Sequence, residues 1–159
     1  MQTSQTVYSV PQKVIDDSRS FLYSVGLKGC EGTALWVGVH EGPNVKITRV
    51  FIPEQICTKT RFGVAVDLTP KAHYTLTDNL TGNERFFIRI HSHPGRAYHS
   101  PRDNENPILS HRGALSIVVP DFAKRPIVLA DCAVYRLEQG HGWQALSSSE
   151  ISQIFVVLK

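Results

Sequence analysis

An α+β fold, with a single mixed β-sheet packed by helices, is predicted by three features of the chain. Segments with helical periodicity alternate with β-rich runs instead of segregating from them. Successive β-rich runs are joined in some places by turn tetrapeptides, "EGPN" and "QGHG", and in others by helix-length segments. An apolar content of 42% supplies one core, and a length of 159 residues makes one domain over 1–159, with residues 1–6 expected as a loose N-terminal tail.

The elements follow in order. "VPQKVIDDSRSFLYSVG" opens with Pro11 at a first helical position and ends at Gly26. Val14, Ile15, Ser18, Phe21, Leu22 and Val25 make its mostly apolar face. "CEGTALWVGVHEGPNVKITRVFIP" reads as a hairpin, and its first run, Ala34 to Val39, is apolar enough for a central strand. The stretch from Pro53 to Leu68 has no clear pattern beyond a short strand in "VAVDL". Thr69 and Pro70 start a helix that Ala72, Leu76 and Leu80 continue and Gly82 closes. "RFFIRIH" alternates as a strand, "ALSIVVP" and "CAVYRLE" follow as two more, and Ser147 three residues before Glu150 forms a capping box for a last helix.

Composition excludes several function classes. No apolar run reaches the length of a membrane span, and "MQTSQTVYSV" has neither the basic start nor the apolar stretch of a signal peptide, so the expected location is cytoplasmic. Seventeen basic against fourteen acidic residues give a net charge of +3, with no basic run, so no nucleic acid partner is expected. Cys30, Cys57 and Cys132 are odd in number and far apart, which reads as three reduced core or near-core thiols.

The chemistry lies in "RIHSHPGRAYHSPRDNENP", residues 89 to 107. On a strand running through Ser92, His91 and His93, two residues apart, project from the same face at a spacing that can converge on one metal ion. Asp103 has an explanation that needs no metal: Ser100 as N-cap, Pro101 at N1 and a carboxylate in the first turn. Taken together, however, two imidazoles and one carboxylate leave a fourth tetrahedral position open, the layout of a catalytic zinc site. Zinc there would polarise a carbonyl and bring a water pKa towards neutrality, leaving a base and an oxyanion donor to be found. Ser100 is near enough for the second task.

"H-S-H-P" followed by "S-P-R-D" resembles the JAMM signature of the JAB/MPN/Mov34 metalloprotease family, and "EGTALWVG" resembles the glutamate motif ahead of that family's first central strand. The resemblance spans roughly Val7 to Val157 and implies the cytidine-deaminase-like JAB/MPN architecture. It implies one Zn2+ per chain held by His91, His93 and Asp103, with Glu31 as general base acting through a zinc-bound water and Ser100 as donor to the tetrahedral intermediate. In one departure, six residues rather than the usual seven separate His93 from Ser100.

The resemblance further implies a stand-alone prokaryotic isopeptidase or peptidase that cuts after the C-terminal tail of a ubiquitin-like protein. Such enzymes deconjugate or process precursors, with E1- or E2-like partners in the same pathway, anti-phage operons among the settings. Two other readings are a small-molecule or thiocarboxylate-related zinc amidase and a non-catalytic MPN binding module. A nucleic-acid role like that of the RadC proteins is disfavoured by charge. His99 reads as a solvated loop residue, while His40, His73, His111 and His141 receive no role. Glu41 sits at the wrong end of its strand to be the base, Trp36 and Trp143 read as core, and Arg89 shares the strand face of His91.

Overall fold

In the computed structural model, which describes residues 5–106 and 108–159, the apolar run Ala34–Val39 lies in a central strand paired on both sides. The chain runs through β1 (Tyr8–Pro11), α1 (Gln12–Gly26), the hairpin β2 (Thr33–Glu41) and β3 (Asn44–Phe51), and a second hairpin, β4 (Gln55–Thr60) and β5 (Gly63–Leu68). A short α2 (Pro70–Tyr74) leads to β6 (Arg85–Ser92), α3 (Pro101–Glu105) and β7 (Leu115–Val119). The hairpin β8 (Ala133–Glu138) and β9 (Gly142–Ala145), α4 (Ser148–Ile154) and β10 (Phe155–Leu158) complete it. Eight strands form one sheet in the order β10-β1-β3-β2-β6-β7-β8-β9, while β4 and β5 pair only with each other. The β10–β1, β1–β3 and β6–β7 pairs are parallel and the rest antiparallel, so the sheet is mixed and the α+β expectation holds.

Alternation along the strands sorts the two faces. Ala34, Trp36, Ile88, Ile90, Leu115 and Ile117 point to one side and pack with Val14, Ile15 and Leu22 of α1 and Ile151 and Ile154 of α4. Trp36 is fully buried, as predicted, and its indole N–H donates to Ser18 Oγ at 2.8 Å; Ser18 in turn donates to the Val14 carbonyl at 2.7 Å. The opposite face carries Leu35, Val37 and Phe86 at one end and turns polar at the other, where Arg89, His91 and Ser116 are buried.

Four local readings change. Pro11 closes β1 and helix α1 begins one residue later, because Tyr8 to Pro11 pairs in parallel with β10 and β3. The capping box at Ser147 starts α4 as predicted, but the β-branched and aromatic run "FVVL" leaves the helix to add β10 to the sheet edge. Past Thr69, which caps α2 as expected, the predicted helix breaks at Thr75 into a 3-10 turn over Leu76–Asn79 that still delivers Leu76 and Leu80 to the second cluster. Finally, Cys30 and Cys57 are not thiols but a disulfide, their Cα atoms 5.8 Å apart. Sequence separation hid the pairing, since the β4–β5 hairpin folds back over the start of β2; only Cys132 remains a free, buried thiol. Part of the expected loose tail, residues 1–4, lies outside the described residues.

Candidate metal centre

Strand register assembles the site. β2 runs antiparallel to β6 with Thr33 opposite His91 and Leu35 opposite Arg89. The start of β2 therefore meets the end of β6, and Glu31, two residues before Thr33, falls beside His93, two residues after His91. A reciprocal pair carries the ladder to that point: Ser92 N donates to the Gly32 carbonyl at 3.1 Å, and Gly32 N donates to Ser92 Oγ at 3.0 Å. On the other side, parallel β7 sets Ser116 against Arg89 and Val118 against His91.

The backbone after β6 is gripped by an uncommon turn. Asp121, Phe122 and Ala123 have φ of 53°, 52° and 55°, three consecutive non-glycine residues in the left-handed region, each at a cost of about 1–2 kcal/mol. Their amides explain what holds them there. Asp121 N donates to the Gly95 carbonyl at 2.9 Å and Phe122 N to the His93 carbonyl at 2.8 Å, while His93 N donates to Val119 O at 2.9 Å. Arg19 of α1 ties down the far side through the Ala123, Lys124 and Arg125 carbonyls. A Cβ added at Gly26 would meet Phe122 Cβ at 2.7 Å and its carbonyl oxygen at 2.9 Å. Gly26→Ala is therefore expected to lower stability by about 1–3 kcal/mol through overpacking, more than the ~1 kcal/mol that alanine adds to helix propensity. Thermal unfolding checks it; a melting temperature at or above wild type contradicts the close approach.

Helix α3 delivers the carboxylate. Ser100 Oγ accepts from Asp103 N at 3.1 Å and Ser100 N donates to Asp103 Oδ2 at 2.9 Å, a complete capping box with Pro101 behind it. Cap and candidate metal site are thus the same object: the box holds Asp103 with Oδ1 3.2 Å from His91 Nε2 and Oδ2 3.2 Å from His93 Nε2. One ligand atom from each of the three residues lies within 4.8 Å of the others. The fit to a metal is good on two grounds. Tetrahedral ligands about 2.0–2.1 Å from zinc are about 3.3 Å apart, close to the 3.2 Å separations here. Among the described residues, Nδ1 of buried His91 has no hydrogen-bond partner, and Nε2 makes no aligned hydrogen bond beyond its 3.2 Å approach to the Asp103 carboxylate, which is costly unless something else is bound there.

The electrostatics agree. Burial lowers the His91 pKa to about 4, more than Asp103 raises it, so the ring is neutral, as a ligand must be. Although burial opposes it, Asp103 is held well below the usual carboxylate range by the His91 and His93 rings and the Ser100 amide. Glu31 goes the other way: burial, joined by the Asp103 charge and opposed by His93 and Arg102, raises it from 4.5 to about 7. A raised carboxyl contributes stability that is present below its unfolded pKa and lost as pH rises through its folded one. With metal chelated, the melting temperature of Glu31→Gln should therefore exceed that of wild type by more at about pH 8 than at about pH 5. A difference independent of pH would place the carboxyl in water.

Behind the ligands, the expectation for His99 needs correcting. It is half-buried and held: its ring stacks on Tyr135 at 4.1 Å, Nε2 lies 2.8 Å from Ser116 Oγ and Nδ1 lies 2.9 Å from Asn104 Oδ1. The β7 and β8 side chains under the loop, invisible to a local reading, bury it. Arg89 is 2% exposed and does reach the site: Nη2 donates to the Asp103 carbonyl and to Ser116 Oγ, both at 3.3 Å, while Nε has no partner. Trp143, read as core, is half-buried against both His99 and Arg89.

A cavity of about 420 Å³ opens over these groups and is lined by Glu31, His91, His93, Ser100 and Asp103 together. Its far wall is Phe62 to Val66 of the second hairpin, so residues 53–68 shape the groove and the 120–130 loop supports it from behind. Sequence reasoning had no signal for Ser92, Ser116, Tyr135 or the Cys30–Cys57 pair, whose roles depend on long-range register.

No family model matches the chain. It is 35% identical over 150 residues to the "Probable metalloprotease y4jG" of Sinorhizobium fredii (strain NBRC 101917 / NGR234), covering 94% of this chain and 93% of that protein. The solution structure of protein DSY2949 from Desulfitobacterium hafniense superposes with a TM-score of 0.61 at 13% identity, covering 96% of this chain and 94% of the other, a likeness of fold alone.

Proposed function

Since the chain belongs to the family of the probable metalloprotease y4jG, we propose that it is a zinc-dependent peptidase or isopeptidase that cleaves after the C-terminal tail of a ubiquitin-like protein. The observation that carries the reading is the convergence of His91, His93 and Asp103 under a cavity that also holds a half-buried carboxyl, Glu31. The resemblance of "H-S-H-P…S-P-R-D" to the JAMM signature supports zinc and the ubiquitin-like substrate class.

His91, His93 and Asp103 would hold the ion, which when bound supplies Lewis acidity to the scissile carbonyl and to water. Glu31 accepts the proton of the attacking water and returns it to the departing amine, the two halves of a general acid–base role. Ser100, fixed by its cap, has a hydroxyl proton free to donate to the developing oxyanion. Arg89 steadies the Asp103 carbonyl from below and keeps positive charge under the ligand set. β5 borders the cavity and pairs on one side only, so an extended peptide has a free strand edge beside the reacting groups.

A second reading rests on cavity size: about 420 Å³ also lies in the range of small-molecule sites, and suits a zinc amidase. A panel of ubiquitin-like proteins fused through their tails to a reporter, run beside small acyl amides, decides between them. Cleavage directly after the tail, absent in Glu31→Ala, supports the peptidase; turnover of amides alone replaces it with the amidase. E1- or E2-like partners and a cytoplasmic location are part of the same proposal.

A further inference from the structure

The β4–β5 hairpin forms the outer wall of the cavity yet buries little. Ile56 is 52% exposed and Phe62 86%, and neither strand joins the main sheet. Three of the ties that place it over the site run to one stretch, Lys28 to Thr33, beside an exposed ion pair from Asp67 of β5 to Arg102 of α3. Gln55 pairs with Thr33 like a strand residue, Nε2 donating to Thr33 O and Oε1 accepting from Thr33 N, both at 2.9 Å. Lys59 Nζ donates to the Lys28 carbonyl. The third tie is covalent, Cys57 to Cys30, and Cys30 is the residue immediately before Glu31. Hairpin and base are thus clamped to each other by bonds on either side of the base, at residues 30 and 33.

We propose that Cys30 and Cys57 are a redox-operated latch and positioning pair: oxidised, they hold the hairpin against the Glu31 loop and fix that carboxylate over His91, His93 and Asp103; reduced, they release the hairpin and slow hydrolysis. The kinetic half rests on the peptidase reading above; the mechanical half does not. Opening requires a dithiol reductant. One of its thiolates attacks a sulfur of the Cys30–Cys57 bond, forming a mixed disulfide and releasing the other chain thiol; its second thiol then displaces the cysteine still held in the mixed disulfide. Two electrons and two protons pass to Cys30 and Cys57, and the reductant leaves as a disulfide. A disulfide of the same class closes the latch by the reverse route. Cys132 takes no part: it is buried in the core and its thiol is pushed up to about 12, first by burial and then by Asp131. The balance of dithiols and disulfides around the protein then sets the state of the latch.

The test uses the full chain, chelated, as oxidised protein and after treatment with a dithiol, read by amide hydrogen exchange. Reduction should raise exchange in residues 55–68 by about tenfold or more while β6 and β7 stay protected. The Cys30→Ser/Cys57→Ser double variant should behave as reduced protein with no reductant present, and Cys132→Ala should respond like wild type. On a cleaved ubiquitin-like fusion, metal-loaded double variant should lose about tenfold in kcat with KM within about twofold, the mark of a misplaced base rather than a lost substrate contact. Unchanged hairpin exchange on reduction, or a double variant as protected as oxidised wild type, overturns the latch. A loss confined to KM overturns the positioning of Glu31. A hairpin that loosens in a protein cleaving no fusion supports the latch and overturns the peptidase reading instead.

Discussion

His91→Ala and Asp103→Ala each leave the purified protein with less than about a tenth of a metal ion per chain, against about one for wild type, when metal is counted by mass spectrometry. Loss of a mere supporting contact weakens metal sites by about 10–100-fold, and removing one of three direct ligands exceeds that. The two variants fail in different ways. Without His91 the remaining His93–Asp103 pair keeps its 3.2 Å contact but offers only two donors. Without Asp103 the two imidazoles lose their shared carboxylate and α3 loses half its capping box. Asp103→Asn separates these effects, because an amide oxygen still accepts from Ser100 N while the charge is gone. It should melt near wild type and still hold no metal. Wild type that stays metal-free after zinc is resupplied would reduce Ser100 and Asp103 to a helix cap and the protein to a binding module.

Glu31→Gln binds its metal and loses turnover by about 10²–10⁴-fold, the scale of general-base removal. Gln is nearly the shape of Glu, so neither the Ser92–Gly32 pair nor the Cys30–Cys57 tie is disturbed, and the loss falls on kcat rather than KM. The carboxyl sits at about 7 chiefly because burial disfavours its charge. A cation held by the neighbouring triad favours the ionised form again, so the acid limb of the pH–rate profile should lie below about 7, rising with pH as the base ionises. That limb should be absent from the residual rate of the variant. Metal retained together with wild-type kcat would remove Glu31 from the chemistry and leave its burial without an account.

The same two residues show how much was legible beforehand. Asp103 could be placed because a cap and a ligand demand neighbouring letters; Ser100, Pro101 and Asp103 lie within one helical turn. Helix α1 and strand β2 were legible for a like reason, periodicity over 6 to 15 positions of their own sequence. Glu31 came only through resemblance, since nothing local says that residue 31 lies beside residue 93. Its proximity is a fact of the β2–β6 register. His99 and the cysteines were misread on the same account: burial under Tyr135 and Ser116, or a bridge from a folded-back hairpin, is set by partners 17 to 36 residues away. The left-handed turn at Asp121–Ala123 had almost no signal, for only Asp121 is of a type that visits that region, and Phe122 and Ala123 are not.

One consequence of the Thr33–His91 register concerns safety during synthesis. The three candidate ligands lie within a span of thirteen residues, so a chain made as far as Asp103 already carries them. Glu31, the proposed base, lies sixty residues earlier than the first candidate ligand and reaches it only when two strands of opposite direction zip together, a long-range closure that is intrinsically slow. His91, in turn, is enclosed only once β7 has docked on the far side. A nascent or damaged chain can therefore display every ligand and still be harmless to its neighbours. Proteolytic competence becomes a property of the finished sheet, and loss of the fold disarms the enzyme in the same step.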